Sequence, residues 1–361
     1  MPRRSAPWAL SLVWLGAVLG ACDDVASSTG EPPPVASTTS AASAAASGTQ
    51  TAAAPSASAA VAASGSAAAG SASAAGSTAA APVDPACPAD MVLVDGDYCE
   101  DLEVKCLRKW EAPQNNLWVC EEVARPTRCV GATRPMRFCI DRYEFPNRKG
   151  VRPMVMQNFY QAQLHCHKRG KRICTESEWT KACEGPDNKP FPYGYVRDPK
   201  KCHGDQPWDH PSGKLLTARD PGELERLWQG VVSGSQPQCI SDYGVHDMPA
   251  NADELAASET YGKGPRSDFD NVTTGGPWYL GVRNMCRPKI YSHDESFAYY
   301  YLSWRCCAEA DGKPTEPRAP KQIKRGKTWK RVEWLAHNSW MLPFNPLVPG
   351  DPGYSSSGPR K

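Results

Sequence analysis

Fifteen cysteines in a chain of 361 residues are the first chemistry on offer. A thiolate can act as a nucleophile, grip a soft metal or oxidise to a cross-link. Fourteen of them lie between Cys87 and Cys307, and none forms a C-x₂-C pair, so zinc is a poor reading. In an exported chain an even number reads as up to seven disulfides. The adjacent Cys306 and Cys307 are expected to join two different partners. Cys87 and Cys99 flank the strand-like run Met91-Val92-Leu93-Val94, and a small hairpin closed by Cys87–Cys99 is the expectation there.

The other reactive residues make weaker patterns. His165-Cys166-His167 has the look of a metal clip. Positions i and i+2 of a helix point about 200° apart, however, so the two imidazoles cannot share an ion, and both are read as exposed. Trp208-Asp209-His210 is an acid–base pair without a nucleophile and is read as loop. Asp268-Phe269-Asp270-Asn271 is read as a polar turn rather than an oxygen site for a cation. Hydrolase triad context, a phosphate-binding Walker loop and G-x-G-x-x-G are not found.

Elements must position these groups. Phe138 to Glu144 reads as a strand, followed by a turn at Pro146-Asn147, and Pro153 to Met156 as the start of another extended piece. Asn158 can cap a helix reaching Arg169, with Phe159, Ala162 and Cys166 on one face and Gly170 closing it. Thr175 and Glu178 have capping-box spacing, which starts a second helix running to about Cys183. Glu178 is therefore read as a cap rather than a catalytic acid. With 34 prolines and 29 glycines, much of the chain is expected to be loop.

The N-terminus reads as an address. Arg3 and Arg4 precede the apolar run Trp8 to Leu19, which is too short to span a bilayer, and Leu19-Gly20-Ala21 leads into Cys22. Small residues before a cysteine resemble a bacterial lipobox, which implies cleavage before Cys22 and a lipid on its sulfur. Several acyl chains hold a protein stably at a membrane. Pro32 to Val83 contains no charged residue and is rich in Ala, Ser, Thr and Gly, a composition that favours a flexible tether. About 60 such residues reach roughly 45 Å. The expected organisation is a signal peptide over 1–21, a tether over 22–84, one folded domain over 85–312 and a basic, Trp- and Pro-rich extension over 313–361. The expected location is the bacterial cell envelope, anchored in the membrane. A formal net charge of +2 gives no reason to expect a nucleic-acid partner.

Gly170-Lys171-Arg172 with Thr175-Glu176-Ser177-Glu178-Trp179 resembles the "GKRLPTEAEWE" signature of the sulfatase-modifying-factor family, that of the formylglycine-generating enzyme. Phe191-Pro192-Tyr193-Gly194 is similar to its "PWG" turn. Tyr243 to Glu254 is similar to "GLYDMxGNxWEW". Gly275-Gly276-Pro277-Trp278 resembles "GGSW", and Leu302-Ser303-Trp304-Arg305-Cys306 resembles "GFRC". The motifs keep family order across residues 90 to 310. The resemblance implies a loop-rich α+β fold of C-type-lectin-like kind with multiple disulfides. It further implies the bridges Cys166–Cys306 and Cys183–Cys286. It implies a structural calcium held by Asp247, Glu254 and the carbonyls of Ala250 and Ala252. Ala250 stands where the family has Gly, which would strain the loop if a positive φ were needed. A second family calcium site is implied near His203, without assignable ligands.

The family oxidises a substrate cysteine with O₂ through two copper(I)-binding cysteines just after "GGSW". Here the first of those positions is Leu280 and the second falls at about Met285, while Cys286 fits the structural bridge. The segment cannot offer two thiolates, so copper is not expected and Met285 is read as packing. The expectation is a non-catalytic binding or scaffold protein with a protein or glycan ligand. The alternative is an O₂-dependent oxidase of a protein cysteine with a rearranged site. A weaker alternative is a cell-wall or polysaccharide binder acting through the basic stretch Lys321 to Arg331 and Trp329, Trp334 and Trp340. That stretch is read first as packing on the domain.

Overall fold

The computed structural model describes residues 85–113, 116–260 and 268–338. Cys22, the signal segment, the tether and Trp340 lie outside the described residues. Twelve short strands and six helices occur among the described residues, joined by long irregular connections.

The main sheet has four strands. β1 (Met91–Cys99) pairs antiparallel with β6 (Thr133–Asp141), from Met91 opposite Asp141 to Cys99 opposite Thr133. β12 (Cys306–Glu309) adds to β6 on its other side, and β7 (Arg172–Ile173) closes the order β1-β6-β12-β7. A second sheet has the order β10 (Lys289–Ile290), β9 (Asn271–Thr274), β8 (Asp253–Ala257), β11 (Leu302–Trp304), with β11 parallel to β8. Two hairpin-like pairs stand apart: β2 (Leu102–Glu103) with β5 (Arg128–Cys129), and β3 (Cys106–Ala112) with β4 (Leu117–Val123).

Sequence dictates the first two helices locally. Asn158 accepts from the amide of Gln161, and the Gln161 side chain accepts from the Asn158 amide, so α1 begins at Phe159 and ends at His167. Thr175 and Glu178 make the same reciprocal pair at the start of α2 (Glu176–Glu184). Glu178 also holds Arg172 through two bonds of 2.6 and 2.7 Å. Burial alone would raise its pKa; the guanidinium and the cap amide more than reverse this and hold it below the ordinary range. Its role is structural. Two short helices follow, α3 (Gly213–Thr217) and α4 (Pro221–Leu227).

Successive side chains of a strand point to opposite faces, and β12 turns that rule into cross-linking. Cys306 packs with Phe159, Ile173, Leu255 and Trp304, while Cys307 packs with Val94, Phe138, Ile140 and Trp179. Cys306 bonds Cys166 of α1, and Cys307 bonds Cys174. Cys183 of α2 bonds Cys286. The remaining bridges are Cys87–Cys139, Cys99–Cys129, Cys106–Cys120 and Cys202–Cys239, so all fourteen cysteines from 87 to 307 are paired. The expected Cys87–Cys99 hairpin is wrong. Cys87 lies before β1 and bonds Cys139, while β1 carries the chain from Met91 to Cys99, roughly 27 Å for eight extended steps, where Cys99 meets Cys129.

Other expectations shift for physical reasons. β6 begins at Thr133 and stops at Asp141, because its pairing with β1 continues toward Cys99 and the chain then turns Glu144 and Phe145 inward. Pro153 to Met156 is irregular. His165 is half-buried, with its ring 5.5 Å from that of Trp304 and 5.2 Å from that of Phe145, while His167 is exposed beside Trp329. The basic stretch forms α5 (Pro320–Lys324) and α6 (Trp329–Asn338). Val332, Leu335 and Ala336 of α6 pack on Tyr160 and Leu164 of α1, with Trp329 and Trp334 at the margin. Asp270, fully buried, holds Arg325 at 3.1 Å and Lys327 at 2.6 Å. The Asp268–Asn271 run is thus not an exposed polar turn: it leads into β9 at Asn271, and buried Asp270 anchors this basic segment.

Candidate functional site

Two loops meet beneath Trp278. In the first, residues 275–286, Gly275 takes φ +70° and a Cβ there would lie 2.6 Å from the Pro249 carbonyl oxygen. Only glycine fits both demands. The Gly276 amide donates to that same carbonyl at 2.9 Å, and the Trp278 amide donates to the Asn251 carbonyl at 3.1 Å. Trp278 is buried, with its ring 4.9 Å from that of Trp228. Leu280 precedes a single 3₁₀ turn, Gly281–Arg283, and is half-buried. Met285 is half-buried and outside the packed core clusters, so it is not the core residue expected.

The donor set here does not fit copper(I). Leu280 has no ligand atom, Met285 offers one thioether, and the Cys286 sulfur is bonded to Cys183. What surrounds the loop is polar. Arg283 donates to Asp253 at 2.9 Å, and burial pushes the Asp253 carboxyl up to about 6 despite this guanidinium. Asp253 and Leu255 stand where the family signature has tryptophans; the first pairs with Arg283 and the second enters the core.

The second loop is Asp247 to Glu254. Asp247 and Asn251 take the positive φ values, +67° and +69°, whereas Ala250 does not. The loop therefore carries no strain at Ala250, because its left-handed positions fall on Asp and Asn, which tolerate them. Glu254 is buried and gives both oxygens to Arg305, at 2.6 and 2.7 Å, with Trp179 Nε1 adding a third bond at 3.1 Å. Arg305 also donates to the His246 carbonyl at 3.1 Å. Glu144 accepts from Asn251 at 2.8 Å and from Ser233 at 2.7 Å. Asp247 accepts from the Gly234 amide at 2.7 Å through Oδ2, while Oδ1 is buried without a partner.

Three buried carboxylates thus surround one guanidinium. Burial and the neighbouring Glu144 charge raise the Asp247 pKa well above normal, and burial raises that of Glu144. Calcium wants about 6–8 oxygens around it. Of the expected ligands, Glu254 is committed to Arg305 and the Ala250 carbonyl accepts the Ala252 amide at 3.0 Å, while Asp247 Oδ1 stays open. As placed, these residues do not fit a calcium cage. Among the described residues no group of three His, Cys, Asp or Glu side chains is gathered to hold a metal. His203 bonds the Gln229 carbonyl at 2.7 Å through its ring. Trp208 and His210 lie on a loop, with Trp208 Nε1 donating to the Tyr300 hydroxyl at 2.9 Å.

In the sequence Glu144 reads only as the end of a strand, and no spacing signal marks it, since the strand in fact stops at Asp141. Asn251 and Arg305 stood inside recognised motifs, but their convergence on Glu144 and Glu254 joins segments too far apart to read together.

A disulfide-stapled, loop-rich α+β domain with these two loops defines a class, and comparison with known proteins gives it a name. Residues 134–309 match the sulfatase-modifying factor enzyme 1-like domain. The chain carries a domain of this family, with the α+β fold that goes with it. The formylglycine-generating enzymes of Mus musculus and Bos taurus are 28% and 29% identical to it over 173 residues, which cover 45% of this chain. The chain matches 40% of the length of each of these relatives. Two solved structures align at 12% identity. PvdO from Pseudomonas aeruginosa covers 61% of this chain and 94% of its own, with a TM-score of 0.34. CarF covers 62% and 99%, with a TM-score of 0.36.

Proposed function

We propose that this chain is a non-catalytic binding or scaffold protein of the sulfatase-modifying-factor family, held at the bacterial envelope by a lipid on Cys22. The observation that carries this reading is the fate of sulfur: every cysteine from 87 to 307 is spent in a bridge, and the resemblance puts Leu280 and about Met285 where the family has its metal-binding cysteines. A scaffold whose loops sit on a fixed core suits recognition of a protein or glycan partner.

The test is a thiol count under non-reducing denaturing conditions, followed by anaerobic copper(I) loading. The expected outcome is no reactive thiol between residues 87 and 307 and no retained copper. Two reactive thiols that retain copper would return the chain to the oxidases of a protein cysteine. Intact mass of the membrane-extracted protein checks the lipid on Cys22 in the same preparation.

A further inference from the structure

A cavity of about 670 Å³ opens between the end of β1, the first turn of α2 and the chain around β10. That is the size of a small-molecule site, but its walls are charged rather than apolar. Arg134, Arg287 and Lys289 face Glu100, Glu176 and Glu259 across it, so the wall is neutral in sum.

The hydrogen bonds are not evenly spent. Glu176 accepts from the Glu259 amide at 2.8 Å and from the Tyr291 hydroxyl at 2.7 Å. Glu259 accepts from the Ser177 amide at 2.9 Å and from Arg134 at 3.2 Å. Arg287 is committed to Glu184, at 2.5 and 3.0 Å, and to the carbonyls of Cys99 and Glu100. Two cations keep unspent donors. Among the described residues Lys289, with three N–H groups, makes one bond, to the Arg287 carbonyl at 3.3 Å. Arg134 makes its bonds through Nη2, and its Nε lies 3.7 Å from Glu100. Between Arg134 and Arg287 the Tyr98 ring is flanked by guanidinium carbons at 5.3 and 5.4 Å.

Both oxygens of Glu176 and of Glu259 already accept hydrogen bonds, while Lys289 and Arg134 keep donors to spare, which favours a guest that brings acceptors. We propose that this cavity binds the carboxylate of a small organic acid, with Lys289 and Arg134 as its ion partners and the Tyr98 ring beside its carbon skeleton. A single negative charge suits a wall that already holds three acids; a dianionic phosphate would meet their repulsion. Burial pushes the Lys289 pKa down, a cost that a bound anion would remove. Tyr98 and Glu100 precede residues 134–309, so the cavity joins the family domain to a segment outside the match.

The test uses the full chain and three aromatic probes: benzoate, its neutral counterpart benzamide, and phenyl phosphate, followed by calorimetry. The expected result is saturable binding of benzoate that is at least roughly tenfold stronger than that of benzamide or phenyl phosphate. Lys289→Met should weaken benzoate roughly tenfold while leaving thermal unfolding intact, because an apolar chain of like length replaces a half-buried ammonium. Lys289→Arg should retain binding. No benzoate binding up to about 10 mM, equal binding of benzamide, or indifference to Lys289→Met would overturn the proposal. Tighter binding of phenyl phosphate would overturn the choice of carboxylate. No group in this site belongs to residues 275–286, so its failure is separable from that of the thiol count.

Discussion

His246 lies against Tyr143, ring centres 5.0 Å apart, with Nδ1 buried and without a partner. Burial, with Arg142 and Arg305 nearby, pushes its pKa down to about 4. The unfolded chain then binds the extra proton between about pH 4 and 6.5, so this residue's contribution is present above that window and lost as pH falls through it. The ring is partly exposed, which discounts the effect to roughly 1–2 kcal/mol. His246→Gln should flatten the acid limb of stability by that amount, measured as the wild-type minus variant difference in urea unfolding at pH 4.5 and 7. Asp247 has the opposite sign. Its raised pKa means that stability is present at low pH and lost as pH rises. Asp247→Asn should therefore stabilise the protein by about 1 kcal/mol at pH 7 and by less at pH 5, since the amide can donate toward Glu144 without a charge. Equal or inverted gains in urea titrations at the two pH values would contradict this account.

At the scale of elements, α1 and α2 were legible because their start signals are local. Asn158 with Gln161, and Thr175 with Glu178, need only one turn of chain to form. Thr175→Ala should cost about 1 kcal/mol in chemical denaturation through loss of the cap. Retention of full stability would mean that the Arg172–Glu178 pair alone fixes the helix start. The β1–β6 register was not legible from its ends. Cys99 and Cys129 are bridged across thirty residues of sequence, and only pairing in space decides which cysteine each strand end meets. The Asp247 loop shows the same split. Its motif was visible, but the commitment of Glu254 to Arg305 rests on β11 lying parallel to β8, a non-local pairing.

For the whole molecule, the separations of 140, 133 and 103 residues closed by Cys166–Cys306, Cys174–Cys307 and Cys183–Cys286 matter most. In the chain-entropy view each long loop is worth about 4–5 kcal/mol, which offsets what a loop-rich chain lacks in regular packing. The basic segment is held to this folded body by the packing of α6 on α1 and by the ion pairs of Arg325 and Lys327 with buried Asp270. Leu335 is buried against α1, so Leu335→Ala should cost roughly 2–4 kcal/mol and expose the contact with Tyr160 and Leu164. A loss within experimental error in thermal unfolding would show that α6 is dispensable.

By itself the sequence determined the capped helices, the order of the family motifs, the separate partners of Cys306 and Cys307, and the want of a second thiolate beside Cys286. These depend on residue identity and on distances of a few positions, where chain geometry leaves little choice. The tertiary structure alone decided the partners of Cys87 and Cys99, the gathering of Glu144, Asp247 and Glu254 around Arg305, and the meeting of Tyr98 with Lys289. Each of these joins segments whose separation in sequence carries no record of their distance in space. Burial then sets their charges, because desolvation acts on a group only once its neighbours have closed over it.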